Sequence, residues 1–128
     1  MVDCFTPMGY GYVMKQILQT VVESLEFSSQ AKKCLEHSTK IEFINYIAAN
    51  PTNGSLIQGT GGARKIRWGS DKHKGKSGGV RIIYYYHNHN MPIFLFTVYP
   101  KNKKDNLTNA ECNELKLIIK ELIKIYNK

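Results

Sequence analysis

The sequence predicts an α+β domain, a small twisted sheet packed by helices, and three observations carry that reading. Apolar residues recur at three- and four-residue steps early in the chain and again at its C-terminal end. Between them lie short runs rich in β-branched and aromatic residues, separated by turn residues. The order that results is a strand, two helices, three antiparallel strands and a C-terminal helix.

Gln16 to Glu23, with its aliphatic and β-branched residues, reads as the first strand. Phe27, Ala31, Cys34 and Leu35 then fall on one face of a short helix. Ser38 is the expected N-cap of a second helix, with a stripe of Ile41, Ile44, Tyr46, Ile47 and Ala48. Asn50-Pro51 ends it, because a residue before proline is pushed out of the α region. The two helices form an αα-hairpin. Thr52 to Gly62 is expected to be a loop. Arg64 to Trp68 is a short strand, Gly69 to Gly79 a polar basic loop, and Val80 to His87 the next strand. Asn88-His89-Asn90 turns the chain into a last strand, Ile93 to Tyr99. Thr108 with Glu111 predicts a capping box opening a helix whose stripe is Leu115, Ile118, Ile119, Leu122, Ile123 and Tyr126.

A chain of 128 residues suits one domain, which buries roughly two-thirds of its unfolded surface. Residues 14–128 are assigned to it. Residues 1–13 lack periodicity and read either as upstream sequence, with translation starting at Met14, or as a genuine extra arm. Cys4, Cys34 and Cys112 are odd in number and show no zinc spacing, so they read as reduced thiols of a cytoplasmic protein. No apolar run approaches the ~18 residues of a membrane span, and no signal peptide is evident, so no membrane role is expected.

Eighteen Lys and Arg oppose ten Asp and Glu, for a net charge of +8. That balance favours a polyanionic partner. The charge is concentrated: Arg64, Lys65, Arg67, Lys72, Lys74 and Lys76 are accompanied by His73 and a single acid, Asp71. Further cations follow at Arg81, Lys101, Lys103 and Lys104. Strand alternation places Lys65 and Arg67 on one face, with Arg64, Ile66 and Trp68 on the other. Arg81, Ile83 and Tyr85 likewise share a face. If the two strands pair, Lys65, Arg67 and Arg81 converge on one surface while Ile66 and Ile82 point to the core.

Other patterns have plainer readings. Gly59–Gly62 lacks the Lys-Ser/Thr ending of a P-loop and reads as a turn. His87-Asn88-His89-Asn90 resembles an HNH nuclease run only superficially, since it sits on a turn; no metal or other cofactor is expected. Trp68 and Tyr86 read as core or partner-facing rather than RNA-stacking. No helix-turn-helix with a basic recognition helix is apparent.

Ile57-Gln58-Gly59-Thr60-Gly61-Gly62-Ala63-Arg64-Lys65-Ile66-Arg67, Gly75 to Tyr85 and Val98-Tyr99-Pro100-Lys101-Asn102 resemble HigB-type members of the RelE toxin superfamily. The resemblance covers about residues 15–125 and is most specific in the middle. It implies a RelE-like fold and a ribosome-dependent endoribonuclease that cuts mRNA and is neutralised by a cognate antitoxin. Operator DNA is then reached only through the antitoxin complex. Lys65 and Arg67 fall where the family has a basic pair. Arg67 departs from the lysine often found there; arginine stays protonated and binds phosphate rather than acting as a base. Arg81 matches the family's arginine and suits two phosphate oxygens. Tyr84 or Tyr85 stacks on a base or joins proton transfer, and Tyr85 shares Arg81's face. Lys101 matches a basic group at the strand end. Tyr126 lies too far along the chain for the tyrosine some members carry in the last helix. The catalytic expectation is therefore Lys65, Arg67, Arg81, Tyr85 and Lys101. RNA backbone contact is expected from Arg64, Lys72, Lys74, Lys76, Lys103 and Lys104. The competing expectation is a non-catalytic basic module, a degenerate toxin acting as an antitoxin-dependent co-repressor. One edge of the last helix is a candidate surface for the antitoxin.

Overall fold

A computed structural model describes residues 18–69, 79–104 and 106–127. Its elements are β1 (Val21–Glu23), α1 (Leu25–Cys34), α2 (His37–Ala49), β2 (Ser55–Leu56), β3 (Arg64–Gly69), β4 (Gly79–Tyr85), β5 (Ile93–Pro100) and α3 (Asn109–Tyr126). The five strands lie in the order β1-β5-β4-β3-β2; β1 runs parallel to β5 and the other pairs are antiparallel. The α+β class expected from sequence is observed, and so is the element order apart from the added strand β2.

Helices cover both faces of the sheet. On one side Phe27 and Ala31 of α1, and Phe43 and Ile47 of α2, pack on Val80, Ile82 and Tyr84 of β4 and on Ile93, Leu95 and Val98 of β5. On the other, Leu115 and Ile119 of α3 pack on Ile83 and Tyr85, with Phe94, Phe96 and Tyr99 alongside. Alternation along β4 divides its side chains between the two cores. Ile82 is fully buried and Ile66 packs beside it, as the alternation required. Trp68 meets Phe43 edge to face and Tyr46 at a tilt, with ring centroids 5.3 and 5.0 Å apart, and Tyr86 packs on the same core.

A β-bulge sets which face the end of β5 presents. Ile83 pairs with Thr97, but Tyr84 pairs with Leu95, so Phe96 is an extra residue. Leu95 and Val98, three residues apart, thereby face the same core. Tyr99 moves to the α3 face, where simple alternation from Leu95 would have denied it.

Three expectations are corrected. The cap of α2 is Glu36, not Ser38. Leu35 is an extended, nearly buried core residue, and only Leu35 and Glu36 separate the helices, so the first turn closes with Lys40 N–H on Glu36 O at 2.9 Å. The 52–62 segment contains a strand: Ser55 and Leu56 pair with Lys65 and Arg64 at the sheet edge. Both are exposed, so no apolar alternation betrayed them. Of the described residues of the expected first strand, Val21–Glu23 are in register with β5, and Thr20 O accepts from Ile93 N–H at 2.8 Å. Upstream, Gln19 gives its N–H to Ala48 O instead, and Gln16 and Ile17 lie outside the described residues.

The C-terminal helix begins as expected. Thr108 Oγ1 accepts from Glu111 N–H at 3.1 Å, and Glu111 Oε1 accepts from Thr108 N–H at 2.8 Å. The Gly59–Gly62 segment is a turn, with left-handed φ of 82° at Gly59 and 79° at Gly61. The buried Thr60 hydroxyl donates to Ile57 O and accepts from Ala63 N–H. At the Asn88 turn, the side-chain carbonyl accepts from Asn90 N–H at 2.8 Å.

Glu23 links β1 to both N-terminal helices, accepting from Lys40 Nζ at 2.8 Å and Ser28 Oγ at 2.7 Å. Burial pushes its carboxyl up, but these hydrogen bonds outweigh that and hold it below its ordinary value of 4.5. A depressed carboxylate contributes stability that is present above the unfolded value and lost as pH falls through the folded one. Glu23→Gln is therefore expected to melt below wild type at pH 7, with the gap closing as pH drops below the ordinary value of 4.5 and through the lowered folded-state value. Thermal melts across that range check it; a gap independent of pH would contradict it.

Candidate nucleic-acid face

The α3 side of β3, β4 and β5 carries the expected cations in register. Arg67 pairs with Arg81, and Arg81 with Tyr99, so the three stand in one row across three strands, roughly 10 Å from end to end. Lys65 lies in the next row, opposite Ile83 and on the same face, ~7 Å along β3 from Arg67. Like charges directly opposite each other destabilise a sheet. Two arginines at that spacing suit an anion between or above them, because each guanidinium is a planar fork matched to phosphate oxygens. Arg67 is exposed and Arg81 half-buried, so the row is open to solvent at the β3 end.

Residues 101–104 and Asn106 lie beside this face. Lys101 N–H bonds Gly79 O at 3.1 Å and Lys103 N–H bonds Pro100 O at 3.1 Å, turning the chain back after β5. Lys65 Nζ donates to Asn106 Oδ1 at 3.4 Å. Lys104 Nζ lies 5.3 Å from the centre of the Tyr99 ring and donates to Glu111 Oε2. The bond to Lys104, aided by that from Thr108 N–H, holds the Glu111 carboxyl below the usual carboxylate range.

Lys65, Arg67, Arg81, Lys101 and Lys104 thus gather at this end of the sheet, with exposed Lys103 on the adjoining turn. Two expected residues stand elsewhere. Tyr85 is four residues beyond Arg81 on β4, ~13 Å away, and only 4% exposed beneath α3. Its hydroxyl meets His87 Nδ1 at 2.8 Å, and burial pushes its phenol up. Arg64 belongs to the opposite face, where its Nη1 donates to Thr52 O at 3.1 Å and Gly54 O at 2.8 Å. Tyr84 is fully buried there, its hydroxyl donating to Pro51 O and accepting from Gly54 N–H. Lys72, Lys74 and Lys76 lie outside the described residues.

Sequence reasoning missed Tyr99, Asn106 and Glu111. Tyr99 lies in the Val98–Asn102 motif, but its face depends on the bulge. Asn106 and Glu111 reach the cations through tertiary contacts for which the sequence carries no periodic signal.

The α3 edge expected to face a partner is apolar. Ile118 is 40% exposed, and with Val22, Phe96 and Leu122 it lines a groove of about 330 Å³ between α3 and the β1–β5 edge, with Glu26 and Glu114 among its acidic residues. Among the described residues, no helix is long and apolar enough to cross a membrane.

A family model described as the RelE toxin of the RelE/RelB toxin–antitoxin system matches residues 23–128. The chain belongs to the RelE toxin family. That span takes in every described strand and helix from Glu23 onward, including the whole cationic face. The protein is thus a toxin of a toxin–antitoxin pair, and an antitoxin is its partner.

Proposed function

We propose that this RelE-family toxin is a HigB-type endoribonuclease that cuts mRNA on the ribosome without a metal and so stops translation in the cytoplasm. The observation that carries this is the Arg67–Arg81–Tyr99 row, with Lys65 beside it, on a single face of three paired strands.

In the proposed reaction the RNA 2′-hydroxyl loses its proton to a base and its oxygen attacks the adjacent phosphorus. A phosphorane carrying extra negative charge forms. The bond to the 5′-oxygen then breaks and that oxygen takes a proton, leaving a 2′,3′-cyclic phosphate and a 5′-hydroxyl. Arg81 and Arg67 bind the non-bridging oxygens and offset the charge that develops on them. Both stay protonated, so proton exchange falls to Lys65 or Tyr99. The Tyr99 ring also offers a surface on which an unstacked base rests. Lys101 and Lys103 extend the positive surface along the backbone. Lys72, Lys74 and Lys76 are assigned to ribosomal RNA phosphates, a contact that charge alone supplies without sequence preference.

Controlled expression in cells tests this reading. Growth arrest that the cognate antitoxin relieves, and that Arg67→Ala weakens, is expected. Unimpaired growth, with the antitoxin complex still binding operator DNA, would instead support the non-catalytic co-repressor.

A further inference from the structure

Glu111 uses its two carboxylate oxygens for different tasks. Oε1 closes the capping box on Thr108 N–H at 2.8 Å. Oε2 accepts from the Lys104 ammonium, which lies 5.3 Å from the centre of the Tyr99 ring. Tyr99 in turn is the cross-strand neighbour of Arg81. The cap needs only a hydrogen-bond acceptor at this position, and glutamine serves as well as glutamate. The helix N-terminus favours a negative charge here, but closing the cap does not require one.

We propose that Glu111 is a positioning residue of the RNA-cleaving face, holding the Lys104 ammonium over the Tyr99 ring and so fixing that ring beside Arg81 and Arg67. This rests on the endoribonuclease reading above. A lysine head on four methylenes samples many rotamers, and attraction to one ring selects weakly among them. A carboxylate anchored at the start of an 18-residue helix removes most of that freedom. The anchor is itself rigid, because Thr108 fixes Glu111 from both backbone and side chain. Loss of the Glu111 charge frees Lys104 to swing from the ring to the RNA backbone. Binding is then kept or strengthened, while the reacting geometry loosens.

Cleavage of mRNA on translating ribosomes by wild type, Glu111→Gln, Lys104→Met, the double variant and Thr108→Ala tests this. Glu111→Gln is expected to lower kcat about tenfold with KM changed less than twofold, and to melt close to wild type because the cap is kept. Adding Glu111→Gln to Lys104→Met should cause no further loss, since one acts through the other. Thr108→Ala, which loses the Glu111 N–H bond but keeps the Thr108 N–H that holds Glu111 Oε1 and leaves the carboxylate beside Lys104, should lower kcat less than Glu111→Gln. Full activity in Glu111→Gln, losses that multiply in the double variant, or an equal loss in Thr108→Ala would overturn the inference while leaving the endoribonuclease reading in place. Absence of cleavage by wild type would overturn both.

Discussion

Arg81→Ala is expected to lower the rate of mRNA cleavage on ribosomes by about 10²–10³-fold, the cost typical of removing one preorganised donor from a developing oxyanion. Arg81 is the middle member of its row, flanked by Arg67 on one strand and Tyr99 on the other. With a paired strand on each side, Arg81 is best placed to meet a phosphorus attacked from one side and departed from on the other. The loss should fall mainly on kcat, because charge grows on the phosphorane oxygens as the transition state forms. Arg81→Lys should recover only part of it: an ammonium restores the charge but not the two-pronged geometry. Single-turnover cleavage of a ribosome-bound message measures both, and thermal melts of each variant show that the fold is kept. Removing one of two facing cations relieves a like-charge pair, so no stability loss is expected from that source. An Arg81→Ala protein with wild-type kcat would remove Arg81 from the chemistry.

Gly54→Ala is expected to cost about 3 kcal/mol of stability or more, lowering the melting temperature by on the order of 10 °C. A β-carbon at this position would lie 2.7 Å from Tyr84 Oη, 2.8 Å from Tyr84 Cε1 and 2.9 Å from Lys65 O. None of the three can retreat cheaply. The Tyr84 ring is fully buried, its hydroxyl is bonded to both Pro51 O and Gly54 N–H, and Lys65 O belongs to a strand paired on both sides. Any shift breaks hydrogen bonds between groups that have no water to replace them. The same substitution disturbs Lys65 itself, so the damage extends to the edge of the cationic face. Tyr84→Phe should cost about 1–3 kcal/mol, by orphaning the Gly54 and Pro51 backbone groups. The double variant should be less destabilised than the sum, because the closest of the three contacts disappears with the hydroxyl. Denaturant titrations of the three variants check this; a Gly54→Ala midpoint equal to that of wild type would contradict the packing described.

Local chemistry in the sequence accounts for the parts of the fold that could be read directly. Thr108 and Glu111 specify their helix start through contacts three residues apart, and the Leu115–Ile119 stripe repeats with the period of the helix. Alternation along Arg64–Trp68 and Val80–Tyr85 likewise placed Lys65, Arg67 and Arg81 on one face, since each side is fixed by its immediate neighbours. Features decided by distant contacts were hidden. β2 exists because β3 offers it an edge, not because Ser55 and Leu56 favour a strand. The bulge at Phe96 reverses the faces of everything after it, which is why Tyr99 went unassigned while Tyr85, on the expected face, turned out to lie under α3. Arg64 illustrates a different limit. Its alternation was read correctly, but only the structure reveals that the far face uses its guanidinium to tie down the carbonyls of Thr52 and Gly54.

Mapping the ends of a translated message after exposure to the purified toxin tests ribosome-dependent, metal-free cleavage at this face. Cuts confined to ribosome-bound mRNA, upstream fragments ending in a 2′,3′-cyclic phosphate, and strong loss of both in Lys65→Ala are expected. Equal cutting of free RNA, 3′-hydroxyl ends, or a message left intact while the protein still arrests growth would contradict it.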